Sequence, residues 1–135
     1  MTKDRGKQRF LIEPHSPYYL LPSDGPGVLI TAKVFDGENY DFWEKAVHMA
    51  LKSKNKLGFI NGTLKKPDVK EGDFTEFHAW DMVNSMVCSW LLNVIDRKLR
   101  PSVAYAETAE AMWDDLRKRY GVASVPKLSV EGQYS

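Results

Sequence analysis

The sequence predicts an all-α protein, a small helical bundle that follows an extended or β-hairpin segment. Apolar residues recur every three or four positions in three stretches, which begin near residues 40, 74 and 108. Prolines and turn residues are instead concentrated before residue 38. The length of 135 residues fits one domain. We expect a flexible basic arm at 1–15, the helical domain at 16–121 and a flexible tail at 122–135.

The N-terminal segment reads "SPYYLLPSDGPGVLITAKVF", and its three prolines exclude a helix. Two short apolar runs, 18–21 and 28–34, flank the turn-forming residues 23–27. The second run contains β-branched residues, which favours an edge strand or half of a small hairpin. An extended segment packed on a helical core would have the same pattern, so both alternatives stay open.

The first helix is predicted after the Asp36-Gly37 turn. Asp41 and Glu44 have the spacing of a capping box, and Asn39 is an alternative cap. Gly58 is the expected C-terminal stop. The inward stripe consists of Phe42, Trp43, Ala46, Val47, Ala50 and Leu51. The opposite face carries Glu44, Lys45, His48 and Lys52.

Two further helices are predicted. A long one extends over 74–96, with Asp73 or Thr75 as its cap. The last one begins after Thr108 and ends before Gly121. Large side chains on the inward stripes are expected to anchor the core, namely Trp43, Trp80, Trp90, Trp113, Phe77 and Leu116.

The sequence contains no convincing catalytic or metal-binding constellation. Its three histidines have no second ligand at metal-binding spacing, and the lone Cys88 lies in an apolar context without a group that would activate it. Gly58 and Gly62 are separated by three residues, without a following lysine, and they come after a helix. A phosphate loop needs a different spacing and the start of a helix. We therefore expect no catalytic site, metal, cofactor or small-molecule substrate.

The net charge of +1 indicates no general attraction to nucleic acid, but two stretches are basic. They are either a solvated surface or a nucleic-acid contact formed by Lys3, Arg5, Lys7, Arg9, Lys54, Lys56, Lys65 and Lys66. No apolar run is long enough to span a membrane. A single cysteine fits a reducing compartment, so we expect a cytoplasmic protein.

Four stretches, in this order and spacing, resemble the N-terminal part of the Gag polyprotein of plant copia-type LTR retrotransposons. They are "SPYYLLPSDGPGVLI", "FDGENYDFWEKAVHMALKSKNKLGFINGT", "AWDMVNSMVCSWLLNVID" and "SVAYAETAEAMWDDLRKRYG". The resemblance implies a structural module similar to a retroviral capsid N-terminal lobe, which self-associates around the RNA of the element and is not an enzyme. The implied partners are other copies or other Gag chains and, weakly, RNA.

The resemblance also has limits. The zinc knuckle of the family is not carried over, because the chain has one cysteine. After Gly121 the sequence departs from the family pattern, which would continue into a second lobe. The outer face of the first helix (Glu44, Lys45, His48 and Lys52) is the candidate assembly surface. An RNA-binding Gag fragment, or a host-retained interaction domain acting through the basic stretches, is the alternative function.

Overall fold

The structure, a computed structural model, describes residues 11–121, and this part of the chain is all-α, as predicted. Helix α1 is Tyr40–Ser53, the short helix α2 is Gly58–Asn61, and α3 is Thr75–Asn93. A 3-10 helix, Arg97–Ser102, precedes α4, Ala109–Leu116, which continues into a π-helical turn, Arg117–Gly121. Most of the predicted arm and the whole predicted tail lie outside the described residues.

The core lies between α1, α2, α3 and α4, and the four tryptophans are in it. Trp43 and Trp90 are fully buried, and Trp80 and Trp113 nearly so. Leu116 is also buried, whereas Phe77 is only half-buried and stands outside the core cluster. Trp43 packs against Phe35 and Trp113, with ring centroids 5.0 and 5.6 Å away. Burial of these rings makes the largest apolar contribution to the stability of so small a domain.

The predicted ends of α1 are corrected by the structure. The helix begins at Tyr40 with Asn39 at the cap position, so the Asp41–Glu44 capping box does not form. At the other end Asn55 has a left-handed φ of 62°. The N–H groups of Asn55 and Lys56 donate to the carbonyls of Lys52 and Leu51, the two bonds of a Schellman motif. Gly58 is therefore not the stop; it begins α2.

Helix α4 begins at the Thr108 cap that the sequence indicates, whereas the N-cap of α3 is Phe74, which makes no side-chain cap bond, and not Asp73 or Thr75. The Asp73 carboxylate accepts from the Thr75 N–H at 3.0 Å, and the Thr108 hydroxyl accepts from the Ala111 N–H at 3.0 Å. The two helices are joined by Asn84, a buried amide whose oxygen accepts from the Ala109 N–H at 2.9 Å. This bond satisfies a donor at the start of α4, which would otherwise be buried without a partner.

Helix α3 ends at Asn93, three residues earlier than predicted, because the chain there pairs with another segment. The Phe35 N–H donates to the Val94 carbonyl, and the Asp96 N–H donates to the Phe35 carbonyl, both at 2.8 Å. This isolated parallel bridge holds the segment before α1 against the residues that follow α3.

The segment 16–31, hereafter the N-terminal strap, contains successive turns and no strand, so the hairpin alternative is not confirmed. Side chains from the core hold its backbone. The Trp90 indole N–H donates to the Gly25 carbonyl at 2.7 Å, and the Asn93 amide donates to the Pro26 carbonyl at 2.6 Å. The strap thus lies against the helices as a series of turns with fixed contacts.

Candidate interaction surfaces

The four residues of the predicted assembly surface do not all share one face. Lys45, His48 and Lys52 are exposed along α1. Glu44 is half-buried and lines a cavity of about 290 Å³ together with Trp113 and Arg117. The structure therefore separates Glu44 from the three basic positions.

An apolar groove lies beside those basic residues. It has a volume of about 570 Å³, and its walls are Ile30 and Thr31 of the strap and Phe42, Lys45, Ala46 and Met49 of α1. Phe42 and Met49 are 64% and 67% exposed. Large apolar side chains that are this exposed, and adjacent to one another, are typical of interaction surfaces. We call this surface the α1 groove.

The sequence analysis assigned Phe42 to the core, and this was wrong. Consecutive helical residues point about 100° apart, and Phe42 points away from the side of α1 on which Trp43 meets the core. Trp43 occupies it and turns Phe42 outward. Phe42, Ala46 and Met49 have the spacing of a second apolar stripe on α1. This stripe, distinguished from the one that contains Trp43, is the sequence signal that indicates the groove.

A second surface combines exposed apolar residues with acidic ones. A cavity of about 720 Å³ is lined by four carboxylates and one ammonium group. The carboxylates are those of Asp68, Glu71, Asp73 and Glu76. Phe74, the N-cap residue of α3, and Met82 within α3 are also exposed, and the exposed Asp81 precedes Met82 in the chain. We call this set of seven residues the acidic face; the sequence analysis did not single it out.

Two of the lysines predicted to contact nucleic acid, Lys54 and Lys56, contact other parts of this chain instead. Lys56 is buried, and its ammonium donates to the carbonyls of Tyr19 and Lys54 at 2.8 and 3.0 Å. Lys54 is 2.9 Å from the Asp24 carboxylate, whose side chain is 4% exposed. The Lys54 ammonium also lies 5.1 Å from the Trp90 ring centroid. Lys56 therefore cannot reach a phosphate, and Lys54 is already paired.

These buried contacts shift the pKa values of two groups. Burial lowers the pKa of Lys56, because the charged ammonium loses hydration. Burial alone would raise the pKa of Asp24, but hydrogen bonds from Lys54 and from the Leu21 N–H outweigh it and lower that pKa. The strap is thus held by an ionised carboxylate against a lysine at neutral pH.

The other predicted nucleic-acid contacts are dispersed. Lys65 is exposed and pairs with Glu110 at 3.2 Å, while Lys66 is exposed and lies 6.0 Å from the Phe77 ring centroid. Lys3, Arg5, Lys7 and Arg9 lie outside the described residues. Within residues 11–121 the structure does not gather the predicted basic residues into one groove.

The thiol of Cys88, in α3, is the one cysteine thiol of the chain. Burial raises the pKa of the half-buried Cys88 thiol to about 11, so the thiol is protonated at neutral pH. Over residues 11–121, no cluster of three or more His, Cys, Asp or Glu side chains could hold a metal ion. No helix in this same range is long and apolar enough to cross a membrane.

Comparison with known proteins finds similar sequences for part of the chain. Residues 21–68 match the family described as Gag-polypeptide of LTR copia-type. The Retrovirus-related Pol polyproteins from transposons RE1 and RE2 of Arabidopsis thaliana are each 27% identical in an alignment of 88 residues that covers 61% of this chain. The predicted resemblance is confirmed: the chain contains a region that is similar to plant copia-type Gag.

The extent of these matches is limited. The chain spans 6% of the length of the curated relatives it matches. No solved structure matches it significantly. The strap, α1 and α2 all lie wholly or largely inside the matched range 21–68, so the family match covers the α1 groove.

Proposed function

We propose that this chain is a Gag-type structural module that acts by self-association, as a capsid protein does, and not by catalysis. The observation that supports this proposal most strongly is the match of residues 21–68 to copia-type Gag. A capsid-like arrangement of the bundle and a cytoplasmic location are parts of the same proposal; the second rests on the single cysteine.

The surface of the molecule supports this proposal. Exposed apolar side chains occur both in the α1 groove and on the acidic face. Burying such surfaces against another protein is favourable by about 25 cal/mol per Å² of apolar area. Each surface is small compared with the roughly 1,200–2,000 Å² of a stable interface, so we expect weak contacts that act together in an assembly.

Light scattering and negative-stain electron microscopy test the proposal over a range of protein and salt concentrations. We expect reversible growth of the scattering mass and the appearance of particles at high concentration. A strict monomer that forms no particles and does not bind full-length copia-type Gag would rule out assembly as the function.

Direct RNA binding is the less supported proposal, since Lys56 is buried and Lys54 is paired. It depends on the arm at 1–15 and on the exposed Lys65 and Lys66. Binding should weaken steeply with salt, because each neutralised phosphate releases counterions. A gel-shift titration with single-stranded RNA at about 50 mM salt tests it. No shift there would eliminate the proposal.

A further inference from the structure

We propose that the α1 groove of one copy binds the acidic face of a second copy of this chain. The inference rests on the proposed self-association and names the two surfaces that meet. It replaces the four-residue surface expected from the sequence with a pair of complementary surfaces, one apolar and basic and the other apolar and acidic.

The groove offers an apolar floor and a basic flank. Phe42, Ala46 and Met49 lie along one line of α1, because they are four and three residues apart. Lys45 lines the groove, and Lys52 follows on the same flank, seven residues later. Asp41 lies one turn before Lys45, so the flank carries two ammonium groups and one carboxylate.

The acidic face has the opposite charge, and it also exposes two large apolar side chains, Phe74 and Met82. Four carboxylates and one ammonium group line its cavity. Met82 is 57% exposed, and Asp81 is its exposed neighbour on α3. Placed on the groove, Met82 and Phe74 can cover Phe42 and Met49, while the carboxylates face the lysine flank. Like-charged pairings, of groove with groove or acidic face with acidic face, are disfavoured.

A contact between two different surfaces can be repeated from copy to copy, which is what assembly requires. Such a heterologous contact closes into a ring or continues as a filament, depending on the rotation between copies. The ionic part is screened by salt, since the Debye length falls from about 10 Å at 0.1 M to about 3 Å at 1 M. The apolar part is not, so salt should weaken the contact without abolishing it.

A complementation experiment with two variants of the full chain tests the pairing. Met49→Glu places an acid in the groove, and Met82→Lys places a base on the acidic face. Both positions are exposed and helical, and both new residues are good helix formers, so folding should be kept. Circular dichroism and thermal unfolding verify this. Tyr105→Glu is the matched control, because Tyr105 is 90% exposed and lies outside both surfaces.

Sedimentation velocity is measured for each protein alone and for an equimolar mixture of the two variants. Each variant alone should associate at least about tenfold more weakly than wild type, which corresponds to 1.4 kcal/mol. The mixture should form a 1:1 heterodimer whose single contact is as strong as in wild type, because the intact groove of one variant meets the intact acidic face of the other, while the two altered surfaces limit further growth. Tyr105→Glu should behave as wild type.

Four results would overturn the inference. If wild type self-associates and both variants do so equally well, these surfaces are not the contact, although the proposed function stands. If only Met49→Glu is impaired, the groove meets another surface. If Met49→Glu lowers stability and leaves association unchanged, the chain's own residues 1–10 or 122–135 cover the groove. A wild type that is monomeric throughout removes the proposed function itself.

Discussion

Replacing Trp90 by phenylalanine should destabilise the fold more than the same replacement of Trp43. Both side chains are fully buried, so the loss of volume is matched. They differ in the indole N–H. That of Trp90 donates to the Gly25 carbonyl at 2.7 Å, whereas that of Trp43 is buried and has no hydrogen-bond partner among the described residues.

The expected difference follows from three contributions. At Trp90 the replacement removes a hydrogen bond, with a net loss of about 0.5–1.5 kcal/mol, since Gly25 still accepts from the Val28 N–H at 3.2 Å. At Trp43 it relieves a buried unpaired donor, which is favourable by about 1–3 kcal/mol. Weaker ring packing against Phe35 and Trp113 offsets part of this gain, by about 0.5–1.5 kcal/mol. A net difference of about 2 kcal/mol remains.

Urea unfolding followed by far-UV circular dichroism measures the two free energies without relying on the fluorescence of the mutated residues. At roughly 2–8 °C per kcal/mol, the difference should also appear as a Tm several degrees lower for Trp90→Phe. Equal losses, or a larger loss for Trp43→Phe, would show that the bond from Trp90 to the strap does not contribute as the geometry indicates.

Three further changes test other contacts. The pKa of Asp24 is lowered in the folded state, so its contribution to stability is present above the unfolded pKa of about 3.9 and is lost as pH falls through the folded pKa. Between pH 7 and pH 2, the urea midpoint of Asp24→Asn should therefore fall less than that of wild type. Thr108→Ala removes the cap of α4 and should cost about 1 kcal/mol in chemical unfolding. Gly62 has φ 87°, and an added Cβ would lie 2.9 Å from the Glu110 carboxylate, so Gly62→Ala should cost at least about 1–2 kcal/mol in the same assay. Gly27→Ala, with open space around it, should unfold near the wild-type midpoint.

The helices could be predicted from the sequence because their signals are local. The 3.6-residue period identified the long helices, and the Thr108 cap was predicted correctly because the hydroxyl and the N–H that it accepts from are three residues apart. Tryptophan on each inward stripe indicated where the core lies. These features depend on near neighbours in the chain, which a single sequence displays directly.

The interaction surfaces could not be predicted, because they depend on contacts between distant residues. Lys56 follows α1 in a run of lysines, a pattern typical of a surface residue. It is nevertheless buried, and its ammonium donates to the Tyr19 carbonyl, 37 residues away in the chain. The strap is a series of turns and not a hairpin, because its carbonyls accept hydrogen bonds from the side chains of Trp90 and Asn93, more than 60 residues away in the chain. Such partners have no fixed spacing that a pattern could reveal.

Sedimentation velocity of the wild-type chain over a concentration series tests the central claim most directly. The account predicts that the weight-average sedimentation coefficient rises reversibly with concentration, from that of a 15.4 kDa monomer toward larger species. It also predicts that this rise becomes smaller, without disappearing, as salt increases. A single 15.4 kDa species at every concentration and salt would contradict it.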